Sequence, residues 1–193
     1  MKSDIIENYF LGSIKTKKSF LTPENIKNLI KVADWMKKSL KSSRTLLICG
    51  NGGSFADAQH IAAELVGRFK NPRPALPAIC LGTNLSSTTA IGNDYGFQEI
   101  FRRQVEAFGK RNGLFIGIST SGNSINVINA VSKAKEIGMK TVILTGKVGG
   151  KLKSMADIVF CVPSDYTPHI QETHIVIGHI LCLLIDKRWN NRC

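Results

Sequence analysis

Residues 45–54 read Thr45-Leu46-Leu47-Ile48-Cys49-Gly50-Asn51-Gly52-Gly53-Ser54, a short apolar run followed at once by a glycine-rich loop. A second segment has the same design, because Leu114-Phe115-Ile116-Gly117-Ile118 leads into Ser119-Thr120-Ser121-Gly122-Asn123-Ser124. Each segment predicts a buried strand that turns into a helix. At such a turn, glycines let a ligand approach the backbone, and the free N–H groups of the helix start attract an anion. The two loops therefore indicate one phosphorylated ligand held on two sides.

Strands and helices alternate along the rest of the chain. Apolar runs predict strands at residues 45–49, 77–81, 114–118, 140–144 and 158–162. Helical patterns lie near residues 55–69, 97–108, 125–137 and 169–187, and Thr22-Pro23-Glu24 is a helix start within two helices that precede the first strand. We therefore expect an α/β fold of three layers, doubly wound and flavodoxin-like, with a five-stranded parallel sheet. Ligands of such folds bind at the carboxyl ends of the strands, where both loops fall.

The composition sets the domain count and the compartment. The chain has 193 residues, 43% of them hydrophobic, which suits one well-packed core and not two. We expect a single domain over residues 1–193, with N-terminal helices in residues 1–44 and the α/β core in residues 45–193. A cytoplasmic protein without membrane contact is expected, since no apolar run approaches the roughly 20 residues that span a bilayer and no signal peptide begins the chain. Buried or unpaired thiols are expected at Cys49, Cys80, Cys161, Cys182 and Cys193.

The net charge of +12 raises the question of nucleic acid binding. Residues 1–44 carry ten Lys and Arg residues against four acids, half of the excess. These lysines alternate with apolar helix positions such as Ile26, Leu29 and Ile30, which is typical of the solvated face of an amphipathic helix. No aromatic RNA-binding motif and no helix-turn-helix pattern accompanies them. We therefore do not expect a nucleic acid partner.

Two common nucleotide-binding loops are also excluded. A dinucleotide fingerprint needs a third glycine where Phe55 stands, and an acidic residue about 20 positions further on at a strand end. A P-loop needs a hydroxyl after its lysine, whereas Gly146-Lys147-Val148 supplies none. No nucleotide cofactor is expected. Serine-rich loops without lysine suit a single sugar phosphate.

Polar residues on two predicted helices are candidates for the chemistry. His60 and Glu64 lie four residues apart, so they share one helix face two turns beyond the first loop. Such a pair can share a metal, act as a general base with an orienting partner, or form an ordinary surface hydrogen bond. Gln171 and His179 share a stripe of the last helix, although a buried core histidine is the alternative for His179.

These motifs resemble the phosphoheptose isomerases, a branch of the sugar isomerase (SIS) domains. The resemblance covers nearly the whole chain and rests on segments 49–54, 59–64, 92–94 and 117–124, and on Ile-Gln-Glu at 170–172 followed by His179. It implies conversion of sedoheptulose 7-phosphate to D-glycero-D-manno-heptose 7-phosphate through an enediol. That reaction begins the bacterial synthesis of heptose for lipopolysaccharide or capsule.

The resemblance also implies roles for individual residues. Glu64 is the expected base, and His179 the expected acid/base for ring opening and the sugar oxygens. Phosphate is held by Ser54, Ser119, Ser121 and Ser124, and sugar hydroxyls by Asn93, Asp94 and Thr120. The full expected substrate-binding set is Asn51, Gly52, Gly53, Ser54, Glu64, Asn93, Asp94, Ser119, Thr120, Ser121, Ser124 and Gln171. Zinc is the expected cofactor, with His60, Glu64, Gln171 and His179 as ligands.

The metal and base roles of Glu64 conflict, because a bound cation lowers the proton affinity of a carboxylate. Zinc could therefore be catalytic, inhibitory or structural. Geometry adds a second expectation, since Gln171 and His179 lie about 12 Å apart along one helix and cannot easily meet at one atom. We expect neighbouring subunits to complete the pocket, with His179 brought in across an interface, in agreement with the homotetramer that the resemblance implies. Residues 1–44 are the expected oligomerisation helices.

One residue departs from the family pattern, and one relative offers a rival function. His169 stands where many phosphoheptose isomerases have arginine, which puts local salt bridges in question. A relative with the same loops binds the bacterial replication initiator and lacks the glutamate and the last histidine. The presence of Glu64 and His179 favours catalysis here. Isomerisation of another sugar phosphate stays open as a further alternative.

Overall fold

The structure, a computed structural model, describes residues 2–190 except for the side chains of Arg188 and Asn190. A five-stranded parallel sheet has the strand order β2-β1-β3-β4-β5. Its strands are β1 (Leu46–Gly50), β2 (Ala78–Cys80), β3 (Leu114–Ser119), β4 (Lys140–Thr145) and β5 (Ile158–Cys161). This is the predicted doubly wound, flavodoxin-like arrangement, and each strand overlaps its predicted range.

Helices surround the sheet. They are α1 (Lys2–Phe20), α2 (Pro23–Lys41), α3 (Gly53–Val66), α4 (Leu85–Tyr95), α5 (Arg102–Phe108), α6 (Ile125–Ile137) and α7 (Thr167–Asn190). Apolar residues of α2, α3 and α7 pack on one face of the sheet, and those of α5 and α6 pack on the other. Helix α1 lies outside, against α7. The three predicted layers and the two N-terminal helices are thus confirmed.

The region between β2 and β3 departs from the sequence prediction. The predicted helix at 97–108 is divided into a 3₁₀ turn at Phe97–Glu99 and helix α5, and helix α4 precedes them without having been predicted. No residue of α4 is buried, so it lacks the apolar stripe by which a helix is recognised. Its start is marked by Asn84, whose side chain accepts a hydrogen bond from the N–H of Ser87 at 3.0 Å.

The predicted helix start at Thr22 is confirmed, since its hydroxyl accepts from the N–H of Asn25 and Pro23 opens α2. The cysteines that the structure describes are unpaired, and Cys49, Cys80 and Cys182 are buried. Cys193 lies outside the described residues. Within residues 2–190, no helix combines the length and the apolar character that a bilayer crossing requires.

Candidate active site

The two glycine- and serine-rich loops open side by side. We call residues 50–54 the first loop and residues 119–124 the second loop. Strands β1 and β3 are neighbours, and Gly50 is in register with Ile118. Because both strands run in the same direction, both loops leave the same edge of the sheet. The sheet therefore brings together the two segments that the sequence singled out.

The first loop is shaped by its glycines. A Cβ atom added at Gly50 would lie 2.5 Å from the backbone oxygen of Ser54, so the turn closes only without a side chain there. Gly52 has a φ of 54°, which glycine adopts without strain. Ser54 is buried, and its hydroxyl has no hydrogen-bond partner within the described residues. This hydroxyl is available to a ligand.

The second loop holds its serines in a fixed pair. The hydroxyl oxygens of Ser119 and Ser124 lie 2.9 Å apart, and Ser119 is buried. Gly122 has a φ of 67° and lies so close to Gly149 that an added Cβ atom would stand 2.0 Å from the Gly149 carbonyl oxygen. Ser124 precedes α6 without capping it through its side chain. The helix start therefore keeps N–H groups that can face an anion.

Asn126 links the two loops, and the sequence reasoning missed it. Its side-chain amide donates to Asn51 Oδ1 and its oxygen accepts from Asn51 Nδ2, both at 2.9 Å. Asn126 is 3% exposed. The sequence could have indicated Asn126, because it is a polar residue among apolar ones in the first turn of α6, and a buried amide needs a hydrogen-bond partner.

Two cavities flank the second loop. One, of about 410 Å³, lies between the loops, with Asn51, Ser124 and Asn126 in its wall beside Phe97 and Gln98. The other, of about 220 Å³, has Thr120, Ser121 and Lys147 in its wall. Of the hydroxyl groups predicted to bind the substrate, that of Ser124 therefore borders the first cavity, and those of Thr120 and Ser121 border the second.

The polar face of α3 meets α7. His60 Nε2 lies 3.1 Å from Glu64 Oε1, and one ligand atom from each of His60, Glu64 and His179 can be chosen so that all lie within 4.8 Å of one another. The rings of His60 and His179 meet edge to face, with centroids 5.1 Å apart. Glu64 and His179 thus come together within one chain, and the expectation that another subunit must supply His179 is corrected.

Close packing of the two helices explains this meeting. Gly178 lies against Ile61, where an added Cβ atom would stand 2.6 Å from the isoleucine side chain. Gly178 therefore lets α7 approach α3 closely enough for the next residue, His179, to reach Glu64. Gln171 lies two turns earlier on α7, against Gly53 of the first loop. That Gln171 and His179 cannot meet at one atom stays a prediction from the helical rise.

The three side chains fit a metal ion by their chemistry. Two imidazoles and one carboxylate form a ligand set that Zn²⁺ accepts in catalytic sites. Their ligand atoms are close enough to share one ion. Gln171 lies against Gly53 of the first loop, and its role as the fourth ligand stays a prediction.

Asn93 and Asp94 come from helix α4. Both are exposed, and Asn93 Nδ2 donates to Asp94 Oδ1 at 2.8 Å. Their predicted contacts with sugar hydroxyls stay a prediction.

Asp57 carries an unusual carboxyl group one turn before His60. Burial raises the pKa of Asp57 to about 6, although the nearby His60 opposes the shift. Its Oδ2 atom is buried and has no hydrogen-bond partner in the described part of the chain. The sequence offered Asp57 only as a neighbour of the His60 and Glu64 pair.

A second polar cluster binds α1 to the start of α7. Glu172 accepts from Tyr9 at 2.6 Å, from Lys17 at 2.9 Å and from Ser13. Burial alone would raise the pKa of Glu172, but the bonds from Ser13, Tyr9 and Lys17 outweigh it and lower the pKa to about 2. His169 packs nearby, between the rings of Tyr9 and Tyr166. In this chain, where residue 169 is histidine, the Glu172 carboxylate forms its hydrogen bonds with Tyr9, Ser13 and Lys17 of α1.

The comparisons with known proteins agree with this geometry. Residues 9–146 match the model of the SIS domain family. The sheet order, the paired loops and this match define the chain as a SIS-domain protein.

Individual relatives narrow the class. A phosphoheptose isomerase of Helicobacter pylori (strain P12) is 48% identical over 193 residues, which cover 100% of both chains. The structure of a phosphoheptose isomerase from Neisseria gonorrhoeae is similar with a TM-score of 0.90 and 41% identity, covering 97% of this chain and 100% of that one. One from Francisella tularensis has a TM-score of 0.91 and 40% identity, covering 97% and 99%. The chain belongs to the phosphoheptose isomerase family, and it is an isomerase.

Proposed function

We propose that this isomerase converts sedoheptulose 7-phosphate to D-glycero-D-manno-heptose 7-phosphate, the first step of bacterial heptose synthesis for lipopolysaccharide or capsule. The observation that carries the proposal is the cluster of His60, Glu64 and His179 on α3 and α7, whose ligand atoms lie within 4.8 Å of one another. A base and a second proton carrier side by side are what the exchange of an aldose and a ketose needs.

The reaction moves one proton between two adjacent carbons. Glu64 takes a proton from C1 of the open-chain ketose and returns it to C2, so that the carbonyl group moves from C2 to C1 through the enediol. His179 exchanges protons with the sugar oxygens and assists ring opening. The edge-to-face contact of His179 with His60 supports this role, because it holds the imidazole beside the base.

The loops hold the other end of the substrate. We assign phosphate binding to Ser54, Ser119, Ser121 and Ser124, and the shaping of the first loop to Asn51, Gly52 and Gly53. Asn93, Asp94 and Thr120 contact sugar hydroxyls, and Gln171 contacts the substrate from α7. The Ser54 hydroxyl, which has no hydrogen-bond partner in the described part of the chain, and the fixed pair of Ser119 and Ser124 support the phosphate assignment.

Turnover of sedoheptulose 7-phosphate tests the proposal. Glu64→Gln and His179→Ala are expected to abolish measurable turnover, whereas the matched surface variants Glu106→Gln and Val176→Ala keep it. An inactive parent protein would contradict the proposal and favour the replication-initiator-binding alternative. Faster turnover of a five- or six-carbon sugar phosphate in the same assay would assign another substrate.

We further propose zinc as the cofactor, with His60, Glu64 and His179 as ligands and Gln171 as the fourth predicted one. A bound zinc ion would polarise substrate oxygens. Metal content and turnover, measured before and after chelation, test this role. Full activity in metal-free protein would contradict a catalytic zinc, and unchanged zinc content in His60→Ala would contradict the site.

We propose a homotetramer in which helices from residues 1–44 form interfaces near the sites. Helix α1 supports this, because Ile5, Ile6, Phe10 and Ile14 are each more than half exposed, and such apolar surface is commonly covered by another chain. Light scattering that finds an active monomer would contradict the tetramer.

We also place the enzyme in the cytoplasm, where charged sugar phosphates are retained, without nucleic acid as a partner. Cell fractionation tests the location.

A further inference from the structure

The segment that follows α3 folds back over the candidate acid/base. We call residues 67–74 the return segment. The ring of Phe69 stacks on the imidazole of His179, with centroids 5.6 Å apart and planes inclined by 28°. His60 meets the same imidazole edge to face. The His179 ring is therefore contacted by two aromatic side chains in different orientations.

A buried carboxylate on α7 holds this segment in place. Asp186 accepts hydrogen bonds from the backbone N–H groups of Lys70 at 2.7 Å and Asn71 at 2.9 Å, and from Arg73 Nε at 2.7 Å. The Asp186 and Arg73 side chains are both 0% exposed. Since Lys70 and Asn71 directly follow Phe69, these bonds fix the backbone that carries the stacked ring.

The same arginine reaches the end of α3. Arg73 Nη2 donates to the backbone oxygen of Glu64 at 2.6 Å, and Nη1 donates to that of Leu65 at 2.8 Å. These carbonyl groups lie in the last turn of α3, where helical partners are lacking. Arg73 therefore ties the helix that carries Glu64 to the helix that carries His179.

We infer that Phe69 is a positioning residue for His179, and that Asp186 and Arg73 form the anchor that holds Phe69 and Glu64 in register. The inference rests on the proposed function. The His179 imidazole can rotate about its Cβ–Cγ bond, and a ring stacked on its face restricts that rotation. The two ring nitrogens then keep their direction relative to the Glu64 carboxylate.

A positioning role for Phe69 differs from ordinary core packing in its effect on turnover. A displaced proton carrier slows the chemical step, because small errors in the positions of reacting groups cost about 10- to 100-fold in rate. We assign substrate affinity mainly to the serine loops, whereas Phe69 stacks on His179. The loss is therefore expected in kcat, with KM changed by less than about threefold.

Four variants of the full chain test the proposal with sedoheptulose 7-phosphate. Phe69→Ala is expected to lower kcat by about 10-fold or more. Phe69→Tyr keeps an aromatic ring against His179 and is expected to keep the kcat of the parent protein. The exposed Phe108→Ala serves as the matched control. Arg73→Lys keeps the charge opposite Asp186 but loses the fork to Glu64 and Leu65, and is expected to lower kcat in the same way. We choose Arg73→Lys over Asp186→Asn because Asp186→Asn would leave the buried Arg73 guanidinium without its carboxylate partner and so threaten folding.

An NMR measurement decides the stack independently of activity. The His179 ring protons, assigned with His179→Gln, are expected to carry an upfield ring-current shift that disappears in Phe69→Ala and remains in Phe108→Ala. Unchanged His179 resonances and unchanged kcat in folded Phe69→Ala would overturn the inference. An inactive parent with the ring-current shift present would instead contradict the proposed function and leave the stack in place.

Discussion

The side-chain amide of Gln171 lies so close to Gly53 that a Cβ atom added at Gly53 would stand 2.5 Å from Gln171 Nε2. The start of α3 and the start of α7 thus meet through one backbone position and one amide. Because the amide is the far end of a flexible side chain, it can move away when Gly53 is replaced. The contact therefore affects the placement of Gln171 more than the stability of the fold.

Gly53→Ala is expected to reduce kcat/KM by displacing Gln171, by about the 10-fold that one misplaced polar contact costs. The same substitution in a Gln171→Ala background should have little further effect, because the displaced group is already absent. Steady-state kinetics of the two single variants and the double variant check this. Fully additive losses would show that Gly53 acts through the loop backbone and not through Gln171.

Ser119→Ala and Ser124→Ala are expected to raise KM for the sugar phosphate about 10- to 100-fold, since a hydrogen bond to a charged group contributes about 1.5–3 kcal/mol. Removing either hydroxyl also breaks the 2.9 Å bond between them, so the double variant should lose less than the sum. Ser132→Ala, an exposed position on α6, is the control. Unaltered KM in both variants would remove these serines from the phosphate site.

Asp57→Asn is expected to stabilise the protein above pH 6. Burial raises the pKa of Asp57 from 3.8 to about 6, so its contribution to stability is fully present below pH 3.8 and is lost as the pH rises through 6. Because the group is only partly buried, solvent reduces the effect to about 1 kcal/mol, or roughly 2–4 °C in Tm. Thermal unfolding of both proteins at pH 4 and pH 8 checks this. A constant difference between them across that range would contradict the raised pKa.

Glu172→Gln is expected to loosen α1. The pKa of Glu172 is lowered to about 2, so its contribution is present above the ordinary value of 4.5 and is lost as the pH falls through 2. We expect a loss of about 1 kcal/mol at pH 7, shrinking toward pH 3, together with faster tryptic cleavage within α1. Urea unfolding and limited proteolysis measure these effects. Glu7→Gln, on the same helix but exposed, should show neither.

The sequence predicted strands better than helices at the rim of the site. Strands β1 and β3 are continuous apolar runs that only a doubly covered parallel sheet can bury, so their identity followed from composition. Helix α4 was not predicted because most of its residues are small, polar or β-branched and none is buried. A helix stabilised by its cap and its neighbours has no periodic apolar pattern to reveal it.

The site shows the same division. Local sequence was sufficient to predict the two loops and the single face shared by His60 and Glu64, because the turn geometry and the helical period act over a few residues. It could not show that Gly178 lets α7 approach Ile61 and thereby brings His179 to Glu64 within one chain. Nor could it show the bond between Asn51 and Asn126, or the return segment held by Asp186. These contacts join residues that are more than 70 positions apart, up to 117 for Gly178 and Ile61, and only the packing of α3, α6 and α7 on the finished sheet sets their distances.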